Sequence, residues 1–215
     1  MYGVYFGDYY TNDHDLILTD VDISFPTPKR TTIEIEGRDG VLDLTQALTS
    51  DIKYEMRDVN FDFEFKGSID TYDEMRAEIA AAIHGKYLNI IQDSEPDYYW
   101  DAFVEVDDFA LDRRLGKLSV SCEVYPYKYK LSETTVELTL TEETTITLSN
   151  EQMPAIPTIT TDAEITIVCG TSSLAISSGT YIATGLTLSA GDTEWTITPA
   201  DDSATVTITY QEGRL

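Results

Sequence analysis

The chain has 215 residues, of which 42% are hydrophobic and 25% are charged, so it can bury a core and has the composition of an ordinary globular protein. Its formal net charge of -25 predicts repulsion from nucleic acid and from anionic membrane surfaces. No run approaches the roughly 18 apolar residues of a membrane span, and the N-terminus has no basic start or apolar stretch typical of a signal peptide, so we expect synthesis in the cytosol.

Composition changes near Leu131. Thirteen of the 14 Lys and Arg residues precede this point, and a Thr-rich sequence follows it. We therefore predict two domains, residues 1–130 and residues 131–215.

The first domain opens with an aromatic segment, in which we expect Tyr5, Tyr9 and Tyr10 to lie at a sheet edge or an interface. The segment 41–48, VLDLTQAL, is an apolar loop that cannot stand alone in water. We predict that something outside the local fold covers both segments. The residues predicted for an oligomer interface are Tyr5, Tyr9, Tyr10, Val41, Leu42 and Leu44.

Two runs in the first domain are clear strands. Apolar residues alternate with charged ones from Ile52 to Met56, and Val59, Phe61, Phe63 and Phe65 alternate with polar residues. A period of two places the aromatic side chains on one face of an antiparallel sheet.

The sequence DTYDEMRAEIAAAIHG predicts a single helix near residues 70–84. Asp70 is a good N-cap, and Gly85 can adopt the left-handed conformation that ends a helix. His84 lies where the helix dipole favours a proton donor. Packing of the helix on the sheet gives an α+β sandwich. The apolar residues recurring at helical spacing are Tyr72, Met75, Ile79 and Ile83.

The second domain is predicted to be all β. Apolar residues alternate with Thr in short runs, and turn residues separate the runs, which is typical of a small sandwich. The fold class is therefore mainly β (α+β). The second domain resembles the sandwiches of galectins and carbohydrate-binding modules. Tyr181 and Trp195 are candidates for contact with a sugar or a partner, although alternation around Trp195 favours its burial.

The order of elements from Ile69 to Lys128 is helix, HG, strand, acidic-Pro turn SEPD, aromatic pair, strand and closing PYK. This order resembles the N-terminal domain of the distal tail proteins of long-tailed bacteriophages. The stretch from Gly179 to Leu215 resembles their C-terminal β-sandwich. Gly191–Asp192 stands where that family commonly has Gly-Asn.

The resemblance implies a structural protein of the virion, located at the tail tip. Six copies would form a ring through the N-terminal domains, next to the tail-tube protein and the central tip or tail-associated lysin protein. A receptor-binding protein or a host-surface glycan would dock on the outward C-terminal domains. DNA would pass through the ring without being bound, and the acidic DVDIS and GRDG loops are candidates for lining the channel.

No catalytic, cofactor or metal site is predicted. The chain has only two His and two Cys, too few soft ligands for zinc, and we expect Cys122 and Cys169 to be reduced and buried. No nucleophile-elbow or phosphate-loop motif is present. Carboxylates between Asp97 and Asp108 could resemble a glycosidase pair, and the acidic segments DSEPD and VDDFALD leave calcium open, although neither has EF-hand spacing.

A monomeric carbohydrate-binding adhesin is the rival interpretation from another functional class. The 14 tyrosines fit either a surface that a partner buries or a Tyr-rich core. The mass in solution would separate a ring from a monomer.

Overall fold

The computed structural model describes residues 2–45, 47, 52–66, 71–112 and 115–215. The chain divides into two compact units, Met1–Pro126 and Tyr127–Leu215. The division lies slightly before the predicted position near Leu131. Strand Lys128–Lys130 belongs to the second unit, where it pairs with Gly213–Arg214.

The elements of the first unit are β1 Val4–Phe6, β2 Tyr9–Tyr10, a 3-10 helix Thr11–His14, β3 Ile17–Ile23, β4 Thr32–Glu34, β5 Val41–Asp43, β6 Arg57–Lys66, α1 Tyr72–Ala82, β7 Lys86–Gln92, β8 Tyr98–Asp112 and β9 Leu115–Val124. Seven of these strands form one antiparallel sheet in the order β2-β1-β7-β8-β9-β6-β3, and β4 and β5 form a separate ribbon.

The sheet bends so that its two ends share one core. Four strand-to-strand steps separate β1 from β6, which would span about 19 Å in a flat sheet. The rings of Phe6 and Phe61 are nevertheless only 5.6 Å apart, at 85°. The aromatic residues of β6 are buried, as their alternation predicts, and the layered arrangement arises from one sheet facing itself.

Helix α1 packs on this core through the predicted face. Ile79 and Ile83 are buried, Met75 packs against the core, and the Tyr72 hydroxyl donates a 2.6 Å hydrogen bond to the Phe109 carbonyl. The predicted docking of this face is therefore confirmed, while the predicted cap Asp70 lies outside the described residues.

The end of the helix differs from the prediction in one respect. Gly85 adopts the expected left-handed conformation, with φ of 70°. The Nδ1 of His84 is engaged outside the helix, where it accepts a 3.0 Å hydrogen bond from the backbone N–H of Val106 on β8. Lys86 supplies the positive charge instead, since its Nζ donates to the carbonyls of Ala81 and Ala82.

The second unit is the predicted sandwich. The strands are β10 Lys128–Lys130, β11 Thr134–Leu140, β12 Thr144–Asn150, β13 Thr158–Thr161, β14 Ile165–Cys169, β15 Ser172–Ile176, β16 Gly179–Ile182, β17 Gly191–Pro199, β18 Ala204–Tyr210 and β19 Gly213–Arg214. One sheet has the order β11-β18-β13-β16 and the other β12-β17-β14-β15, with a short β10–β19 pair. Both sheets bury apolar side chains in one core.

The mainly β fold predicted from the sequence is thus confirmed. Both cysteines are unpaired thiols, but only Cys122 is buried; Cys169 is half-buried, because it ends β14 beside an exposed turn. Burial raises the pKa of the Cys122 thiol far above its ordinary value. In the part of the chain that the structure describes, no helix is long and apolar enough to cross a membrane.

Candidate assembly surface

The N-terminal tyrosines form a compact aromatic hairpin. The ring of Tyr5 on β1 stacks on that of Tyr10 on β2, with centroids 4.1 Å apart, and Tyr5 remains 37% exposed. The Tyr10 hydroxyl donates a 2.7 Å hydrogen bond to Asp93, and this bond raises the pKa of Tyr10. Within the chain, Tyr10 is therefore fixed, while one side of Tyr5 stays open to a partner.

Tyr9 is committed to contacts within the first unit. Its ring stacks on His14 with centroids 4.0 Å apart, and His14 Nδ1 lies 2.9 Å from the carboxylate of Glu78 on α1. Burial, with a smaller contribution from Glu78, raises the pKa of the Tyr9 hydroxyl. The predicted interface role of Tyr9 is consequently limited to its half-buried rim.

The β4–β5 ribbon presents apolar side chains that the described residues do not cover. Ile33 and Val41 are each 46% exposed and Ile35 is 44% exposed. Leu42, which pairs with Ile33, and Leu44 are half-buried. All described residues from 27 to 41 are exposed, so this ribbon projects away from the core.

Polar contacts hold the ribbon in shape without burying it. Arg30 Nη2 lies 3.0 Å from Asp43 Oδ2, and the backbone of Thr45 donates to Asp43 Oδ1 at 2.9 Å. Hydrogen bonds from Thr45 and Arg30 lower the pKa of Asp43 to about 2. The ribbon is thus an ordered projection, and Leu48 of the predicted apolar segment lies outside the described residues.

Aromatic and apolar exposure extends beyond the residues that sequence patterns selected. Phe25 is 90% exposed just before the ribbon, and Tyr87 is 77% exposed on β7. The alternation of Ile33 and Ile35 with Glu indicates a strand but cannot tell which face is covered. One signal in the sequence could have identified this ribbon: its apolar strand pattern is not followed by a second apolar segment that could cover it.

The two residues of the second unit predicted to contact a sugar or a partner differ in exposure. Trp195 has no exposed surface, because β17 is a central strand and its ring fills the core, so the predicted contact of Trp195 with a sugar or partner is wrong. Tyr181 is 38% exposed on the edge strand β16 and is available for such a contact.

The acidic segments do not converge. Among residues 2–45, 47, 52–66, 71–112 and 115–215, no three His, Cys, Asp or Glu side chains are grouped to hold a metal ion. The DVDIS segment is a strand rather than a loop, because residues up to Ile23 pair with β6, and Asp20 lies directly opposite Asp62. The GRDG segment is the exposed turn of the ribbon.

Comparisons with known proteins agree with this architecture. A family model described as "phage tail protein RIFT-related domain" matches residues 10–124. The whole chain aligns with the whole of the crystallised Dit protein (gp 19.1) of phage SPP1, with a TM-score of 0.68 and 15% identity. That protein is described as a paradigm of the hub adsorption apparatus in phages that infect Gram-positive bacteria.

A search of curated proteins gives no significant match. The family match covers more than half of the chain and most of the first unit, including the ribbon and α1, and it begins at Tyr10, the last residue of the aromatic hairpin. The fold likeness extends through the second unit as well. The chain belongs to the family of phage tail proteins with a RIFT-related domain and has the fold of the distal tail proteins, which are structural rather than enzymatic components of the tail.

Proposed function

We propose that six copies of this chain form a closed ring at the tail tip, built by the first unit. The carrying observation is the β4–β5 ribbon, whose apolar residues Ile33, Ile35 and Val41 are exposed although polar contacts hold the ribbon in order. Exposed apolar surface on an ordered projection favours burial by a partner.

A neighbouring copy is the partner that this surface fits. A projecting ribbon is unlike the compact surface it would cover, so contacts between copies would be head-to-tail. A series of head-to-tail contacts ends only when it closes into a ring, in which a neighbouring copy covers every ribbon. Tyr5, Val41, Leu42 and Leu44 would lie in or beside this contact.

The ring would join the tail-tube protein to the central tip or tail-associated lysin protein, after synthesis in the host cytoplasm. The second units would be available to a receptor-binding protein or a host-surface glycan. Membership of a phage tail family and the distal tail fold support this position.

Viral DNA would pass through the ring without being bound. The first 130 residues hold 13 basic and 27 acidic residues, so this half of the chain repels phosphate overall. Asp20 and Asp22 on edge strand β3 are exposed and could contribute to an acidic channel wall.

The mass of the full chain in solution tests the ring. Light scattering after size-exclusion chromatography should give about six times the mass of one chain at high concentration. Val41→Lys should dissociate the ring, because it places a charge in the apolar contact, whereas Val168→Lys, at an exposed position of β14, should not. A monomer at every concentration, or a ring insensitive to Val41→Lys, would contradict the proposal.

The exposed ring of Tyr181 favours one alternative function, that of a monomeric module that binds carbohydrate. An aromatic ring at a sandwich edge can stack on a sugar face. Because Trp195 is buried, however, it cannot serve beside Tyr181 as a second aromatic contact for a sugar. A glycan array probed with monomeric chain, and with Tyr181→Ala, distinguishes this function from the ring.

A further inference from the structure

Strand β16, residues Gly179–Ile182, is the last strand of its sheet, and among the described residues it pairs on one side only, with β13. The backbone N–H of Ala183 donates a 2.9 Å hydrogen bond to Pro157, and hydrogen-bonded pairs recur at every second residue of an antiparallel ladder. Tyr181 is therefore bonded to Ile159. The N–H groups of Thr180 and Ile182 and the carbonyl of Thr180 point to the open edge.

Apolar side chains flank these open backbone groups. Ile182 is 69% exposed and pairs with Thr158. Ile156, two residues before Thr158, is 50% exposed. On the opposite face of β16, Tyr181 pairs with the buried Ile159 and adds a ring that is 38% exposed at the edge. The remaining outward positions of this sheet on β13, β16 and β18 carry threonine, so the apolar surface is confined to the β16 edge.

Two of the other edges of this sandwich carry or adjoin charged residues, which β16 lacks. Strand β11 carries the charge of Glu137, and β12 follows directly after Glu142 and Glu143. Charges discourage a further strand from pairing at an edge, and β16 has neither charge nor proline.

We propose that the β16 edge is a docking site for an extended, basic segment of a different polypeptide, which adds to the sheet as a fifth strand. Backbone groups at the edge require a partner with backbone donors and acceptors, which a polypeptide supplies. Apolar side chains of the added strand would cover Ile182 and Ile156.

Charge selects the partner. Residues 127–215 contain three basic and twelve acidic residues, so two second units would repel one another, whereas a Lys- or Arg-bearing strand would be attracted. A second copy of this chain is therefore disfavoured. The inference uses only the second unit and does not depend on ring formation by the first.

The test uses the full chain and a synthetic peptide that alternates valine and lysine. A scrambled peptide of the same composition and an alternating valine–glutamate peptide are the controls. Binding is followed by fluorescence anisotropy at physiological salt, and backbone amide hydrogen exchange reports which residues the peptide protects. The valine–lysine peptide should bind, and exchange at Thr180 and Ile182 should slow at least about tenfold on saturation.

Ile182→Lys should weaken this binding by roughly tenfold or more, because it places a charge at the centre of the contact, and Val168→Lys should not. Ile182→Thr, which matches the rest of the outward face, serves if the lysine variant does not fold. Equal binding by these variants, or no slowing at Thr180 and Ile182, overturns the proposal.

Self-pairing has its own signature. If raising the concentration of the chain alone slows exchange at Thr180 and Ile182, the occupant is a second copy and the proposed basic partner is wrong. Light scattering of Ile182→Lys tests this proposal separately from the ring. A variant that loses peptide binding but keeps the mass of the ring shows that the substitution affects only the β16 edge.

Discussion

The hydroxyl of Tyr10 and the backbone N–H of Gly3 both donate 2.7 Å hydrogen bonds to the same carboxylate oxygen, Oδ2 of Asp93. One side chain after β7 thus fixes the start of β1 and the end of β2 at the edge of the sheet. The stacked rings of Tyr5 and Tyr10 depend on this anchor for their position.

Replacing Asp93 with Ala should loosen this corner and destabilise the first unit by about 1–3 kcal/mol, because two donors to a charged acceptor lose their partner. Urea unfolding followed by tyrosine fluorescence measures the change. Asp97→Ala, an exposed acidic residue of the following turn, is the matched control and should change stability little. Equal effects of the two substitutions would show that the Asp93 bonds contribute nothing.

Ile79→Asp should prevent soluble expression of the folded chain. Ile79 is only 1% exposed under α1, and an unpaired buried charge costs several kcal/mol. Ala80→Asp changes an exposed position of the same helix and should be tolerated. Soluble yield and circular dichroism compare the pair, and a folded Ile79→Asp variant would contradict the packing.

The second unit should be stabilised by the ionised form of Glu212. Burial favours a higher pKa for this carboxyl, but hydrogen bonds from Lys130, at 2.7 Å, and Thr134 outweigh it and lower the pKa. A lowered pKa in the folded state means that stability is present above the unfolded value of about 4.5 and is lost as pH falls below it.

Glu212→Gln should therefore destabilise the second unit by about 1.5–3 kcal/mol near neutral pH, and by less as the medium becomes acidic. Thermal unfolding at a series of pH values gives the two curves. They should converge below pH 4.5. Parallel curves across the whole range would mean that the Glu212 charge does not contribute.

Purified chain should not retard duplex DNA even at low salt, where electrostatic binding is strongest. Two of the cations that could have attracted DNA are engaged or hidden: Arg30 pairs with Asp43, and Arg57 is only 5% exposed. Asp43→Asn, which releases Arg30, provides a sensitive comparison. Retardation by the unmodified chain would contradict an acidic passage.

Local periodicity was sufficient to predict much of the fold. The alternation in β6 and the helical face of α1 both correspond to buried surfaces, because each pattern reflects one covered side. The bend that brings Phe6 to Phe61 could not be predicted, since it depends on contacts between strands far apart in the sequence. Cys169 likewise looked like a core residue, but its strand ends there.

The candidate surface was harder to predict for a related reason. Exposure depends on what is absent beside a residue, and a strand pattern does not reveal this. The sequence therefore selected Tyr9 and Trp195, which the fold uses internally, and passed over Phe25 and Ile182, which it leaves open. Aromatic type alone does not separate the two groups.

The pairing of Lys128 with Arg214 places the first and last strands of the second unit side by side and antiparallel. A unit whose two ends meet in this way can be removed from a chain, or exchanged for another of the same kind, with little strain on the backbone that remains. Lineages of such proteins could therefore exchange the second unit as a cassette while the first unit stays unchanged. Recombination between viruses would then alter what the module contacts without rebuilding the part to which it is joined.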